Sequence, residues 1–140
     1  MEKTTDGRTI TETDIVMFSY FSGDWTFLHT DKEASAKSIF GERIAHGYLT
    51  LSVSLGLMVR SGAIDTNAFI ALKSIENVKF FKPVKIGDTI TVTYTSVRDE
   101  IGDDSVDISA LAKVFNQQKE CVMEFRTIHR ERIKKGENGK

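Results

Sequence analysis

The sequence has a single cysteine and almost no excess of charge, and each shortage excludes a class of protein. Cys121 has no second cysteine to pair with in the 140-residue chain, so an internal disulfide is excluded. The formal net charge is −1 at pH 7, so no basic surface dominates and we expect no nucleic-acid partner. The three histidines and the one cysteine are scattered along the chain, so we expect no metal site.

Long hydrophobic runs are missing as well. The longest apolar-rich run, residues 48–59, is interrupted by serine and glycine and is too short to cross a membrane. The first ten residues are polar and no apolar leader follows them, so we expect a cytoplasmic protein without a signal peptide. The chain does contain 40% apolar and 28% charged residues, which is typical of one soluble globular domain over residues 1–140.

Helix signals occupy the first half of the chain. A helix is predicted over 12–22, because Thr11 suits the N-cap position and a glycine follows the last residue. A second, short helix over 31–39 begins at a capping aspartate. Residues 46–60 have almost no polar side, which predicts a buried central helix.

The second half of the chain follows the two-residue period of β-strands. Strand-like runs cover 68–72, 74–84, 89–97, 105–115 and 121–130. We therefore predict an α+β fold with an antiparallel sheet of about five strands. The core spans about 10–130, residues 1–9 are polar and expected to be loose at the very end, and residues 131–140 are expected to form a charged, frayed tail. His129, late in the last strand, is expected to face solvent.

Asp24 and His29 stand five residues apart on the link between the first two predicted helices. An aspartate accepts protons and a histidine titrates near neutrality, so the pair could hold and activate one water molecule. The alternative is structural: Asp24 caps a turn, and His29 packs against Trp25 or Phe27. The spacing alone leaves both interpretations open.

Gly47 stands where the apolar run 46–60 begins. The first N–H groups of a helix are free and carry the positive end of its dipole, so they could bind a carbonyl oxygen that gains charge during a reaction. Three further residues are candidates for contacting a substrate: His46, Tyr48 and Trp25. For His46 we favour the alternative that it fixes a turn through a backbone hydrogen bond, and for Trp25 core packing is an equal alternative.

Three segments of the chain resemble one known family, and they occur in the family's order. They are Phe21–Asp31 (FSGDWTFLHTD), Phe40–Gly47 (FGERIAHG) and Phe81–Asp88 (FKPVKIGD). The family is that of the MaoC-like dehydratases, the (R)-specific enoyl-CoA hydratases of the hot dog fold. The resemblance covers roughly residues 10–130, which is nearly the whole chain.

The resemblance implies an antiparallel sheet wrapped around a central helix, and reversible hydration of trans-2-enoyl thioesters to (R)-3-hydroxyacyl thioesters. It implies that Asp24 and His29 activate the water and that the N–H of Gly47 binds the thioester carbonyl. CoA or an acyl carrier protein would be part of the substrate, and no metal or organic cofactor is expected. Thr26 and Phe27 depart from the family pattern, which usually has Asn and Pro at these positions.

Two other functions stay open at this point: a thioesterase on the same fold, and a non-catalytic module that binds an acyl thioester or a partner. We also expect a homodimer, because a sheet wrapped around one helix leaves edge strands with unpaired backbone groups. Joining two copies about a two-fold axis protects one edge on each copy. The run 68–72 or the early part of 74–84 is expected to make the join. No membrane partner is expected.

Overall fold

A computed structural model describes residues 1–133 of the chain. Along this part, four helices and six strands follow one another. Their bounds are β1 Glu2–Thr4, β2 Arg8–Thr9, α1 Glu12–Ser22, α2 Phe27–Thr30, α3 Lys32–Ala36, α4 Gly47–Arg60, β3 Phe69–Phe80, β4 Thr89–Ile101, β5 Ser105–Phe115 and β6 Cys121–Arg132.

The strands form one antiparallel sheet in the order β1-β4-β5-β6-β3, and the short β2 pairs with β4 beside β1. The predicted antiparallel sheet is confirmed, with two differences. The run 68–72 and the run 74–84 as far as Phe80 belong to one strand, β3, because the irregularity between them is only a shift of register against β6. Residues 1–9 are not loose, since they pair along the outer edge of β4. There the Thr5 N–H donates to the Val92 carbonyl over 2.8 Å.

Helix α4 packs on the sheet and forms the hydrophobic core with it. Leu49, Leu57 and Met58 of α4 belong to one buried cluster with the inward side chains of β4, β5 and β6. The prediction that this helix is buried all round is wrong, because Tyr48 is 43% exposed and Val59 is 36% exposed. The reason is that the sheet covers only one side of α4.

The helix boundaries near the link follow local capping chemistry. Thr11 starts α1 with a capping box, and α1 ends at Gly23, whose φ of 79° is a conformation that favours glycine. Asp31 caps α3, which ends at Ala36 and is therefore shorter than predicted. The link between α1 and α3 is not wholly irregular, because it contains the one-turn helix α2. That turn carries His29.

The last strand extends to Arg132, so the predicted tail begins too early. Glu131 is 5% exposed, and its carboxylate accepts a hydrogen bond from His129 Nε2 over 2.9 Å. The prediction that His129 faces solvent is wrong: it is 2% exposed, because its ring lies on the inner face of the sheet with Glu131. Residues 134–140, the rest of the predicted tail, lie outside the described residues. No helix within residues 1–133 is long and apolar enough to span a membrane.

Candidate functional site

The two candidate acid–base groups and the start of α4 meet at one place. Asp24 lies between α1 and α2, His29 lies in α2, and His46 directly precedes α4. Ligand atoms of these three side chains all lie within 4.8 Å of one another. The Ile44 N–H donates to the Leu28 carbonyl over 3.0 Å and holds the segment before α4 against α2. The expectation that the histidines are scattered is therefore wrong for two of the three.

This cluster contains residue types that bind metals, but the histidine rings do not fit one ion as they stand. His29 and His46 are stacked, with ring centroids 3.8 Å apart and an interplanar angle of 24°. An imidazole binds a metal in its own ring plane, at about 2.0–2.1 Å for zinc. Because the two ring planes are only 24° from parallel, they intersect much farther from the rings than a metal–nitrogen bond length. One ion therefore cannot lie in both planes at bonding distance. The arrangement instead suits proton transfer.

His29 is held in one tautomer by a backbone contact. Its Nδ1 lies 2.7 Å from the carbonyl oxygen of Ile44. A carbonyl can only accept, so Nδ1 carries a hydrogen, and in the neutral ring Nε2 is the nitrogen with the free lone pair. The side chain is 8% exposed, and Arg43 Nε donates to the carbonyl of His29 over 2.8 Å. The contacts therefore fix the direction in which Nε2 of the ring faces the site.

The carboxylate of Asp24 accepts hydrogen bonds on both oxygens. The N–H and the hydroxyl of Thr26 donate to Oδ1 over 3.0 and 2.6 Å, and the Tyr48 hydroxyl donates to Oδ2. These donors, first the Thr26 hydroxyl and then Tyr48, hold the pKa of Asp24 well below its usual range. The hydrogen bond to Asp24 also raises the pKa of the Tyr48 hydroxyl. Asp24 is thus a fixed negative charge at neutral pH.

His46 is fully buried, with 0% exposure, and leaves no surface for a substrate to touch. Its Nε2 lies 3.2 Å from the backbone carbonyl of Asp24 and 3.1 Å from Ser19 Oγ. This geometry matches the alternative of a backbone hydrogen bond rather than the substrate contact. Burial lowers the pKa of His46.

A cavity of about 410 Å³ opens beside the N-terminus of α4. Gly47 and Tyr48 line this cavity, and the Tyr48 hydroxyl also donates to Asp24, so Tyr48 links the cavity to the acid–base pair. Most of the lining is apolar, and it includes Phe40, Ile44, Phe80, Phe81, Val84, Val122 and Met123. Lys82 also lines the cavity. A chain of methylene groups suits such a lining.

Phe80 lies directly against Gly47. A Cβ placed on Gly47 would lie 2.7 Å from Phe80 Cε1 and 2.9 Å from Cζ, which is closer than carbon atoms approach. Only glycine therefore lets the helix start this close to the aromatic ring. The first N–H groups of α4 then stand at the cavity wall, where they could bind a carbonyl oxygen.

The structure brings together most of the residues that the sequence suggested. Trp25 is the exception: it is 49% exposed and packs edge-on against Tyr20 at 4.8 Å. Of the suggested residues, Gly47 and Tyr48 line the cavity, whereas Asp24, His29 and His46 form the adjoining cluster. Sequence reasoning missed Thr26 as the main donor to Asp24, although an aspartate two residues before a threonine is a common turn signal. It also missed Phe80, because no local spacing relates that residue to Gly47.

The Tyr48 contact leads to a first prediction. Tyr48→Phe removes the donor to Oδ2, so the pKa of Asp24 should rise towards its ordinary value. Thr26→Ala should raise it further, because the Thr26 hydroxyl is the larger cause of the lowering. A ¹³C NMR titration of the Asp24 carboxyl group measures both shifts without needing turnover.

Tyr20→Phe is the matched control, since Tyr20 packs on Trp25 and has no hydrogen bond to Asp24 among those described. It should leave the Asp24 titration unchanged. An unchanged titration in Tyr48→Phe as well would show that the phenol does not hold the carboxylate in solution.

Two curated proteins are similar to this chain in sequence. The chain is 47% identical to Protein MaoC from Klebsiella aerogenes over 97 residues, covering 69% of this chain and 28% of that protein. It is 37% identical to the (R)-specific enoyl-CoA hydratase from Rhodospirillum rubrum over 92 residues, covering 63% of this chain and 58% of that protein. The chain thus spans less than two thirds of the length of either relative.

Solved structures share the fold. A monoamine oxidase regulatory protein from Archaeoglobus is 36% identical, with a TM-score of 0.88 over 94% of this chain and 88% of that one. A Mycobacterium tuberculosis protein with a double hot dog fold gives a TM-score of 0.81 at 14% identity, over 100% of this chain and 43% of that one. The architecture is therefore the hot dog fold. Since the MaoC like domain family also matches residues 2–117, the chain belongs to that family.

Proposed function

We propose that this site catalyses the reversible addition of water to trans-2-enoyl thioesters, giving 3-hydroxyacyl thioesters. The observation that carries the proposal is the pairing of an ionised Asp24 with an oriented His29 ring beside the start of α4. The name of the Rhodospirillum rubrum relative, an (R)-specific enoyl-CoA hydratase, supports the same reaction and the (R) product.

In the proposed reaction, Asp24 and His29 hold one water molecule between them. Each carboxylate oxygen has two lone pairs, so Asp24 can still accept from water while Thr26 and Tyr48 donate to it. His29 Nε2 takes one proton as the water oxygen bonds to C3 of the substrate. The C2–C3 double bond electrons move towards the thioester carbonyl. As they return to C2, that carbon takes the proton that His29 Nε2 received, so the ring regains its starting state.

The thioester oxygen gains negative charge as C3 is attacked. The N–H of Gly47, at the positive end of the α4 dipole, donates to that oxygen and stabilises it. The thioester itself acidifies C2, so the proposed reaction requires no metal or organic cofactor. CoA or an acyl carrier protein is then the carrier part of the substrate and stays attached throughout, and the apolar cavity receives part of the acyl chain.

A crotonyl-CoA assay tests the proposal. We expect the enoyl absorbance to fall on addition of the protein and 3-hydroxybutyryl-CoA to form. Butyryl-CoA with a thiol reagent is the matched control, because a thioesterase releases free CoA from a saturated substrate. Thiol release without hydration would replace the proposal with a thioesterase, and binding without either change would indicate a non-catalytic module.

We also propose that the protein is a homodimer joined through β3. This strand is at one edge of the sheet, and no strand within residues 1–133 pairs with its outer side. Its exposed side chains include Phe69, Ile70, Leu72, Ile75 and Phe80. An apolar edge with unpaired backbone groups favours pairing with a second copy about a two-fold axis. Both runs that the sequence suggested for the join lie largely in β3.

Light scattering at micromolar concentration should give twice the chain mass of 15.7 kDa. Leu72→Lys on β3 should weaken the dimer, because it places a charge in the join. Leu111→Lys is the matched control: Leu111 lies on the interior strand β5 and is 51% exposed, against 50% for Leu72. A monomeric wild type, or equal effects of the two variants, would contradict a join through β3.

A further inference from the structure

We propose that His46 is a positioning residue that fixes Asp24, His29 and the start of α4 relative to one another. The residue holds the Asp24 backbone through Nε2–H and the His29 ring through stacking. The expected effect of His46 on the reaction rate rests on the proposed hydration. Its hydrogen bond and its ring stacking do not depend on which reaction the site catalyses. His46 is 0% exposed, so it acts through its neighbours and not on the substrate.

The hydrogen bonds of His46 assign its tautomer. The Asp24 carbonyl, 3.2 Å from Nε2, can only accept, so the hydrogen lies on Nε2. Ser19 Oγ lies 3.1 Å from the same nitrogen and is its second hydrogen-bond partner. Nδ1 is buried and has no partner among the described residues, so a second proton there would be an unpaired buried donor. The ring is therefore neutral and carries its hydrogen on Nε2.

The ring of His46 also restrains His29. One face stacks on the His29 ring at 3.8 Å, and the Phe18 ring packs near it at 5.1 Å. His29 is thus held by two independent restraints, the stack and the bond from Nδ1 to the Ile44 carbonyl. Together they aim Nε2 of His29 in one direction. Without the stack, rotation of the ring is opposed by the Nδ1 bond alone.

The backbone of His46 links these groups to α4. Its carbonyl accepts from the Thr50 N–H over 3.1 Å, which is the first hydrogen bond of the helix. The next residue is Gly47, whose N–H is the proposed donor to the thioester oxygen. His46 therefore contacts both Asp24 and His29 and is covalently bonded to Gly47. One residue thus fixes the positions of all three groups, and reacting groups must be held in fixed geometry.

Two substitutions separate the two functions of the side chain. His46→Phe keeps an aromatic face against His29 and loses the donor to Asp24. His46→Gln keeps an N–H donor and loses the ring. Each should lower kcat for crotonyl-CoA by about 10- to 100-fold, since a misplacement of about 1 Å can cost that much, while KM changes less than about twofold. His129→Gln is the control: it removes another buried histidine and should lower Tm while leaving kcat unchanged.

Other results would overturn the proposal. A raised KM with unchanged kcat would make His46 a substrate contact. A lowered Tm with wild-type kcat would leave it only a structural residue.

A second measurement does not depend on turnover or on the folding of a variant. Long-range ¹H–¹⁵N NMR of the wild-type histidine rings should show His46 as the neutral Nε2–H tautomer and His29 as the Nδ1–H tautomer. A His46 ring with its hydrogen on Nδ1 would refute the assigned contacts. If the wild type has the expected tautomers but does not hydrate crotonyl-CoA, the reaction is wrong and the contacts of His46 stand.

Discussion

Replacing Asp24 by asparagine, or His29 by alanine, is expected to lower kcat for crotonyl-CoA hydration by about 10²- to 10⁴-fold in each case. Asp24→Asn removes the charge that orients the water but keeps an oxygen for the Thr26 donors. His29→Ala removes the proton acceptor. The double variant should be little slower than either single variant, because groups that act as a unit are not additive. Steady-state kinetics of the three variants measure this.

Asp31→Asn is the matched control for the loss of a carboxylate. Asp31 caps α3 through a bond from the Ala34 N–H, and asparagine caps helices equally well. The control should keep wild-type kcat and Tm. A wild-type rate in Asp24→Asn or His29→Ala would remove that residue from the mechanism.

Gly47→Ala is expected to lower kcat by about 10²-fold, because the new Cβ cannot occupy the space taken by Phe80. Either the ring or the first turn of α4 must move, and the N–H that binds the thioester oxygen moves with the helix. The KM for crotonyl-CoA should change less than kcat, since the donor matters most when charge develops on the oxygen. Kinetics of the purified variant measure both constants.

Two further variants identify the cause. Gly47→Ala combined with Phe80→Ala should recover part of the lost kcat, because the contact at 2.7 Å is removed. Gly56→Ala lies on the same helix, has nothing within 4 Å of its new Cβ, and should keep full activity. A fully active Gly47→Ala would mean that Phe80 moves aside freely and that this contact does not fix the donor.

The fold follows from the sequence where the signals are local. Thr11 and Gly23 define α1, and the apolar run of 46–60 defines α4, because caps and periodicity act within a few residues. The strands of residues 1–9 were not predicted, because their polar sequence gains its order from pairing with the distant β4. The sequence also predicted two separate strands where the structure has the single strand β3. A bulge there interrupts the two-residue period of the sequence without ending the strand.

The candidate site also has some features that the sequence predicts and others that it does not. The five-residue spacing of Asp24 and His29 and the glycine at 47 were sufficient to suggest a reaction. The stacking of His46 on His29 and the bond from Tyr48 to Asp24 join residues that are 17 and 24 positions apart. Such relations depend on how α1, α2 and α4 pack together. A single sequence contains no local pattern that specifies them.

The unequal edges of the sheet limit how far copies of this protein can add to one another. The outer side of β4 is covered over residues 89–95 by β1 and β2, which have three and two residues and are too short to template another sheet. The apolar β3 is thus the longest uncovered edge within residues 1–133, and the proposed two-fold pairing uses it up on both copies. Association through β3 would then stop at two chains. Removal of residues 1–9 would expose a second long edge, so the same contacts could continue from copy to copy as an open fibre.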